Sequence, residues 1–386
     1  QALRQHLRRY REITAAGGWE TVPAGVKLEP GTREAATRLA ALERRLRAEG
    51  DLTDDDGTLA AALRDAEKSG TAAEAVYDER LAAAVRRFQA RHGIGADGIV
   101  GPSTMRELNV TAESRVRQIE LNLERWRWMP RDVEPRRLVV NVPAFELTAW
   151  DGGAPVAGMA VVVGRRSWPT PVFSDLVEYI VLNPWWNVPK SIARDELMPK
   201  VRRDPDFLAR EGYVLTDATG TPVEVTPEER EQVSHRTHAL RQLPGAGNAL
   251  GRMKFLFPNR WDVYLHDTPN RHLFARAERS FSHGCVRVQH PRDLAAFLVA
   301  GDAQWSMARI DALLGKGPDK WLRLDRPVPI YLTYFTASVT DDGSLVFHPD
   351  IYGHDERLDV ALRERRGGSG TAIVAKEKEA DAPAAD

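Results

Sequence analysis

The texture of the chain changes once, near residue 137, and that change limits what it can fold into. Before it, apolar residues recur at helical spacing; after it, they gather in short runs divided by turn residues. A period near 3.6 buries one stripe of a helix, whereas a period of 2 buries one face of a strand. The 386 residues therefore belong to the α+β class, with helices and strands segregated along the chain rather than alternating.

In the helical part, residues 1–30 carry a weak helical pattern followed by a loop with Gly17, Gly18, Pro23, Gly25 and Pro30. The stretch 32-TREAATRLAALERRLRAEG-50 sets Leu39, Leu42 and Leu46 on one face, and Gly50 ends it. A second helix, 79-ERLAAAVRRFQARHG-93, has the stripe Leu81, Val85 and Phe88, with Gly93 as C-terminal stop. Asp97-Gly98 is turn chemistry, and Gly101-Pro102-Ser103 opens a short third helix. The acidic run 51-DLTDDDG-57 is not a calcium loop of EF-hand type, because its twelfth position is Ala62 rather than glutamate. A further helix, 114-SRVRQIELNLERWRWMP-130, is stopped by Pro130. Its Trp126 and Trp128 fit packing more simply than stacking on sugars.

After residue 137 come strand-like runs at 137-RLVVNVP-143, 145-FELTAW-150, 156-VAGMAVVVG-164, 177-VEYIVLNP-184, 261-WDVYLH-266, 285-CVRV-288 and 328-VPIYLTYFTASV-339. Short strands divided by turns predict a mainly antiparallel sheet or β-sandwich. Two helices close this part, at 291–301 with Pro291 at its start, and at 306–317 with glycine stops. The polar stretch 190–250 is long for a loop within a sheet domain and is expected to be a cap or lid. The tail 366–386 is expected to be disordered.

The formal net charge of −1 removes any electrostatic case for a nucleic-acid partner. No run approaches the ~18 apolar residues that span a bilayer. Gln1-Ala2-Leu3-Arg4 opens directly into a charged helical pattern, so no leader is visible, and that does not place the protein in the cytoplasm.

One cysteine serves the whole chain, and it sits in polar company: 280-SFSHGCVRVQHP-291. A structural cysteine usually lies in an apolar run. An unperturbed thiol is only a few per cent ionised at neutral pH, so catalysis by Cys285 needs a base or a positive field nearby. His283 is the nearest imidazole in sequence. His266 is the second candidate, since one strand, a loop and an adjacent strand fit between it and the cysteine. Arg287 shares the parity of Cys285 and suits a carboxylate. The competing reading is a metal site from His266, His272, His283, His290 and Cys285, but the spacings match no standard zinc pattern.

Several of these stretches together resemble a known family. The run 77-YDERLAAAVRRFQARHGIGADGIVGPSTMRELNV-110 resembles the three-helix peptidoglycan-binding domain. The segments 264-YLHDTP-269, Phe274 and 280-SFSHGCVRV-288 resemble the L,D-transpeptidase (YkuD-type) catalytic domain. So do 121-LNLERWRWMP-130, 141-NVPAFELTAW-150, 161-VVVGRRSWPTPVFS-174 and 180-IVLNPWWNVPKSI-192, in the manner of the large multidomain Gram-negative members.

The resemblance implies the following organisation: an N-terminal scaffold segment 1–32, a peptidoglycan-binding-like domain 33–112, a linker helix 113–136, and the catalytic domain 137–336 with a capping insertion at 190–250. A C-terminal scaffold segment 337–365 and the tail follow.

It also implies roles. Cys285 would be the nucleophile, ionised and exposed at the bottom of a cleft, and His266 the base, its ring oriented by the Asp267 backbone carbonyl. Amides near Gly284 and Cys285 would receive the oxyanion, and Tyr264 could add a hydroxyl donor. Ser282 and His283 complete the motif in substrate-positioning or structural roles, and Arg287 would bind a carboxylate of the stem peptide. No cofactor and no metal is implied. Peptidoglycan stem peptides would be donor and acceptor, other cell-wall synthesis enzymes the expected partners, and the periplasm the location, with any leader or anchor ahead of Gln1. Three acceptors fit the motif: a stem-peptide amine, water in a carboxypeptidase, or a protein amine. A cysteine amidase that only cuts, or a wall-binding protein without activity, are the rivals, and acylation by carbapenems is expected by resemblance.

Overall fold

The computed structural model describes the whole chain apart from residues 54–59, 62, 65–67, 69–72, 205, 225, 227–237, 318 and 368–386. The expected disordered tail lies almost wholly outside the described residues, as does most of the acidic run at 51–57. The chain divides into two compact units, one made of residues 1–129 and 336–386, the other of Pro130–Phe335.

In the first unit the helical stripes meet as one core. Leu39, Leu42 and Leu46 of the helix Ala36–Glu49 pack with Leu81, Val85 and Phe88 of the helix Glu79–Arg91, and with Val100 and Leu108. The second helix starts where Asp78 caps it, its carboxylate accepting from the Leu81 N–H at 2.9 Å. A separate cluster joins the chain's distant ends: Leu3, Leu7 and Tyr10 pack with Ile119, Ala337, Leu345 and Phe347. Asn122 secures the return of the chain, its Oδ1 accepting from Thr336 N–H and its Nδ2 donating to Thr336 Oγ1, both at 2.8 Å. Trp126 and Trp128, for which packing was the simpler expectation, are 52% and 62% exposed. The helix Ala112–Arg125 ends just before them, and the turn that follows leaves their rings at the surface.

The second unit is built on nine strands: β1 (Arg137–Asn141), β2 (Glu146–Asp151), β3 (Ala154–Gly164), β4 (Phe173–Leu182), β5 (Met253–Leu256), β6 (Leu265–His266), β7 (Ser280–Ser282), β8 (Val286–Val288) and β9 (Lys320–Thr333). They order as β7-β3-β8-β6-β5-β4-β9-β1-β2, and β2 also pairs with β3, so one continuous sheet closes on itself. Most pairings are antiparallel, as the period-2 runs predict; β6–β8, β3–β7 and β1–β9 are parallel. Alternate residues fill the interior, among them Leu138, Val140, Leu147, Ile180, Phe255, Leu265, Val286, Val288, Leu322 and Ile330, all fully buried. β5 was not among the expected strands, because 253-MKFL-256 carries a lysine in its middle.

The polar stretch after β4 folds as a small lobe with its own core, drawing on Val188, Ile192, Leu197, Met198, Val201, Leu208, Leu215 and Leu240. Three short strands support it, Trp186–Asn187, Tyr213–Thr216 and Ala239–Gln242. Its first helical turns include a π-helical segment, Ala193–Leu197, a local geometry frequent at functional sites.

Gly164, at the end of β3, lets two loops meet. A Cβ there would lie 2.0 Å from the Trp168 carbonyl oxygen and 2.8 Å from the Thr170 nitrogen. Thr170 uses the space: its Oγ1 accepts from Gly164 N–H at 2.9 Å and donates to the Gly284 carbonyl at 2.7 Å. Gly164→Ala is expected to destabilise this unit by about 1–3 kcal/mol, because the clashing atoms are backbone. Thermal unfolding measures it, with Gly158→Ala as control, where the nearest atom is the end of the Glu146 side chain at 3.4 Å.

Candidate active site

The short parallel pairing of β6 and β8 sets the site. Leu265 lies opposite Val286 and His266 opposite Arg287. In strands alternate residues face opposite ways, so with Leu265, Val286 and Val288 in the core, His266 and Arg287 turn to the other face. The Val286 N–H donates to the Tyr264 carbonyl at 3.0 Å, which puts Tyr264 level with Cys285. Gly284, at φ +109°, makes the turn that delivers the cysteine. Cys285, His266, Tyr264, Ser282, His283 and Arg287 all line one cleft of about 850 Å³.

Cys285 is half-buried, so its sulfur is neither sealed nor bare. Sγ donates to the carbonyl of Asp262 at 3.7 Å. Asp262 has φ +52°, a left-handed conformation that aspartate tolerates better than most residues. The sequence reading set the imidazole directly against the thiol. In the structure the register offsets them by two residues, Cys285 level with Tyr264 and His266 level with Arg287, and no hydrogen bond joins them. Contacts of this kind are often long before substrate arrives.

His266 is buried, and its Nδ1 donates to the Asp267 carbonyl at 2.6 Å. That bond leaves Nε2 as the unprotonated, accepting nitrogen. The Asp267 carboxylate works elsewhere: Oδ2 accepts from Arg252 N–H at 2.9 Å, and Oδ1 from Thr268 N–H at 2.7 Å and Arg271 at 3.2 Å. The side chain thus fastens the loop while its main chain orients the ring.

Ser282 and Gly284 form a tight local turn. Ser282 Oγ donates to the Cys285 carbonyl at 2.5 Å and accepts from Gly284 N–H at 3.2 Å. The Gly284 N–H is therefore already engaged. His283 points along a different wall. Its Nε2 is 2.6 Å from Glu196 Oε1 and 2.8 Å from Arg165, and Arg165 also pairs with Glu196 at 3.2 Å. Glu196 comes from the π-helical turn of the inserted lobe, so the lobe touches the cysteine loop at His283 and pairs with Arg165 from the turn after β3.

Arg287 is half-buried in the cleft wall, and its Nε, fully enclosed, has no hydrogen-bond partner among the described residues. Burial and the charges of Cys285 and Glu196 act on it in opposite directions, with burial holding its pKa below the usual guanidinium value.

Electrostatics keep both reacting groups neutral at rest. Burial pushes the Cys285 thiol up, against hydrogen bonds from the Tyr264 N–H and hydroxyl and the pull of the Lys254 ammonium. Burial lowers His266 to about 3, and Arg287 and Lys254 add to it by repelling the imidazolium. Both directions favour a neutral thiol and an unprotonated imidazole over the ionised sulfur that the sequence reading expected. Lys254, Asp262, Arg165 and Glu196 escaped the sequence reading. Only Lys254 left a signal, a single charge inside an apolar strand run. Of the other histidines weighed for a metal, His272 and His290 do not line the cleft. Among the described residues no group of three or more His, Cys, Asp or Glu is arranged to hold an ion.

One thiol, a neutral imidazole and a cationic wall in a cleft suit acyl transfer through a covalent intermediate. Residues 135–311 match the YkuD family, "L,D-transpeptidase catalytic domain", and residues 36–108 match a "Putative peptidoglycan binding domain". The chain carries a YkuD-family L,D-transpeptidase catalytic domain together with a peptidoglycan-binding domain. A Haemophilus influenzae protein named "Putative L,D-transpeptidase" is 33% identical over 259 residues, which cover 67% of this chain and 51% of that protein. The chain thus spans about half the length of that relative. Among solved structures, an L,D-transpeptidase from Stackebrandtia nassauensis is 12% identical, with 81% of this chain and 96% of that one covered and a TM-score of 0.28. One from Xylanimonas cellulosilytica is 15% identical, with 81% and 99% covered and a TM-score of 0.24. Those scores carry no argument here.

The depressed His266 sets a pH dependence. An unfolded histidine takes up a proton near pH 6.5 and the folded one only near 3, so between those values the unfolded state binds more protons. Stability is full above pH 6.5 and falls as the pH drops. His266→Gln is expected to lose up to about 1.4 kcal/mol less per pH unit than the native chain between pH 6 and 4, as read from denaturant unfolding across pH.

Proposed function

We propose that this protein is a peptidoglycan L,D-transpeptidase that forms 3→3 cross-links through a thioester on Cys285. What carries the reading is one observation: the chain's sole thiol and an imidazole locked in its accepting tautomer line the same cleft.

In this mechanism the thiol's proton passes to His266 Nε2 as sulfur attacks the amide between the third residue of a donor stem, a diamino acid, and the fourth, D-alanine. The oxyanion is received by the Cys285 N–H and the Tyr264 hydroxyl, since the Gly284 N–H is held by Ser282. The imidazolium, disfavoured by burial and by Arg287 and Lys254, readily gives its proton to the leaving D-alanine amine. A thioester remains. The side-chain amine of a second stem attacks it, its proton returns through His266, and a new amide forms as the thiol is regenerated. Arg287 lines the cleft and its enclosed Nε has no partner among the described residues, so its guanidinium suits a carboxylate of the stem.

The inserted lobe contributes Glu196 to the cleft. We assign the lobe the role of a cap over the donor. The peptidoglycan-binding domain agrees with a wall-bound substrate, a location outside the cytoplasmic membrane and, on this reading, the periplasm. Among the described residues no helix is long and apolar enough to cross a membrane. Other cell-wall synthesis enzymes are the expected partners.

Incubation with purified tetrapeptide muropeptides, followed by mass spectrometry, tests the reaction. Dimers that have lost one D-alanine are expected, and tripeptide monomers alone would replace cross-linking by simple hydrolysis. Cys285→Ala should abolish either product and also any covalent carbapenem adduct seen by intact mass. Glu196→Ala should raise KM for the tetrapeptide several-fold with a smaller change in kcat, because Glu196 lies on the wall without touching the sulfur or the imidazole. Steady-state kinetics on the two proteins decides it.

A further inference from the structure

We propose that Lys254 is a positioning residue for the reacting sulfur: its ammonium holds the Tyr264 ring, and the two form the wall that receives the negative charge when Cys285 ionises. The inference rests on Cys285 being the reacting atom, and is independent of which acyl acceptor follows.

Lys254 stands in the middle of β5, opposite His266 on one side and Val181 on the other. Its neighbours Met253 and Phe255 are buried, so strand alternation turns the lysine to the cleft, which it lines. Its Nζ sits 3.7 Å from the centroid of the Tyr264 ring. Among the described residues no carboxylate lies within ion-pair distance of it. A half-buried ammonium without an acidic partner is costly, and the ring face offsets part of that cost. Tyr264 stands level with Cys285 across the parallel pairing and lines the same cleft, and its hydroxyl and N–H work to lower the thiol pKa.

The charges around it define its effect. Cys285 and Asp262 attract it. Asp262 also faces the sulfur and opposes ionisation there. His266 is the group whose protonation Lys254 and Arg287 both disfavour, and Glu196, in contact with His283 and Arg165, also pulls on Arg287. Arg287 also feels the Cys285 charge, but Lys254 is the cation that both faces the sulfur and packs on the Tyr264 ring. Its positive field is in place before the thiol ionises and stabilises the state that attacks, the pattern of a preorganised electrostatic wall.

The lone cysteine makes the test clean. Iodoacetamide alkylates the thiolate by displacing iodide, and intact mass follows it at one site. The pH midpoint of the alkylation rate is measured on the full chain. Lys254→Gln is expected to raise that midpoint by about one unit, and Lys254→Arg to restore it to within a few tenths. Tyr264→Phe should raise it as well, and the Lys254→Gln/Tyr264→Phe double variant should shift by less than the sum. A Lys254→Gln protein with an unchanged thermal midpoint and an unchanged alkylation midpoint would overturn the proposal. Additive shifts in the double variant would overturn the route through Tyr264. Lys254→Met serves in the same role if the glutamine variant does not fold. Alkylation reads the sulfur whatever its natural acyl donor, so a negative result here is distinct from failure of the cross-linking reading, which muropeptides test.

Discussion

Two residues of strand, Leu265 and His266, run parallel to Val286–Val288, and the polar side of the catalytic unit hangs on that pairing. Parallel neighbours at this spacing share one register, so shifting it by a single residue would reverse every side chain. Leu265, Val286 and Val288 prevent the shift, because each would leave the core. The hydrophobic interior thereby fixes which atoms meet in the cleft. It sets Tyr264 level with the cysteine, His266 level with Arg287, and Lys254 across from His266 on the next strand.

If Cys285 is the nucleophile, as proposed above, the arrangement separates two tasks that a cysteine enzyme must reconcile. A thiol kept neutral by burial is protected while the cleft is empty, and an imidazole kept neutral is ready to accept a proton. The cost is that the ion pair formed at attack is disfavoured by the same burial. Tyr264 and the nearby ammonium lower that cost on the sulfur side. On the imidazole side the Asp267 carbonyl helps to hold the added proton, but Arg287 and Lys254 repel it. The asymmetry favours a proton held briefly.

How much of this was legible in the sequence follows from where the information sits. The sole cysteine and its flanking serine, histidine, glycine and arginine are contiguous, so Cys285, Ser282, His283, Gly284 and Arg287 stand out without a fold. His266 ends a recognisable strand run. The helical stripes of Leu39, Leu42, Leu46, Leu81, Val85 and Phe88 point at a common core because periodicity is a local property. Lys254, Glu196, Arg165 and Asp262 were not legible. Lys254, Glu196 and Asp262 reach the cleft from β5, the inserted lobe and a left-handed loop position, Arg165 meets Glu196 and His283 from the turn after β3, and their meeting depends on sheet order. The neutral resting state was hidden for the same reason: it is set by burial, and burial is a property of the whole fold. The two exposed tryptophans went against expectation because a helix that stops at Arg125 no longer presents its period beyond that residue.

The first unit is sewn from both ends of the chain, with the entire catalytic unit spliced between Met129 and Thr336. Leu3, Leu7 and Tyr10 find Ala337, Leu345 and Phe347 only after more than 300 intervening residues have been made, about 16–65 seconds at about 5–20 residues per second of synthesis. Synthesis order and assembly order thus differ: the helix Ala2–Ala15 waits for the strands Ala337–Val339 and Leu345–Phe347, which are made after the whole second unit and complete its cluster. A chain broken off ahead of Ala337 would hold every residue of the cleft and an unfinished frame.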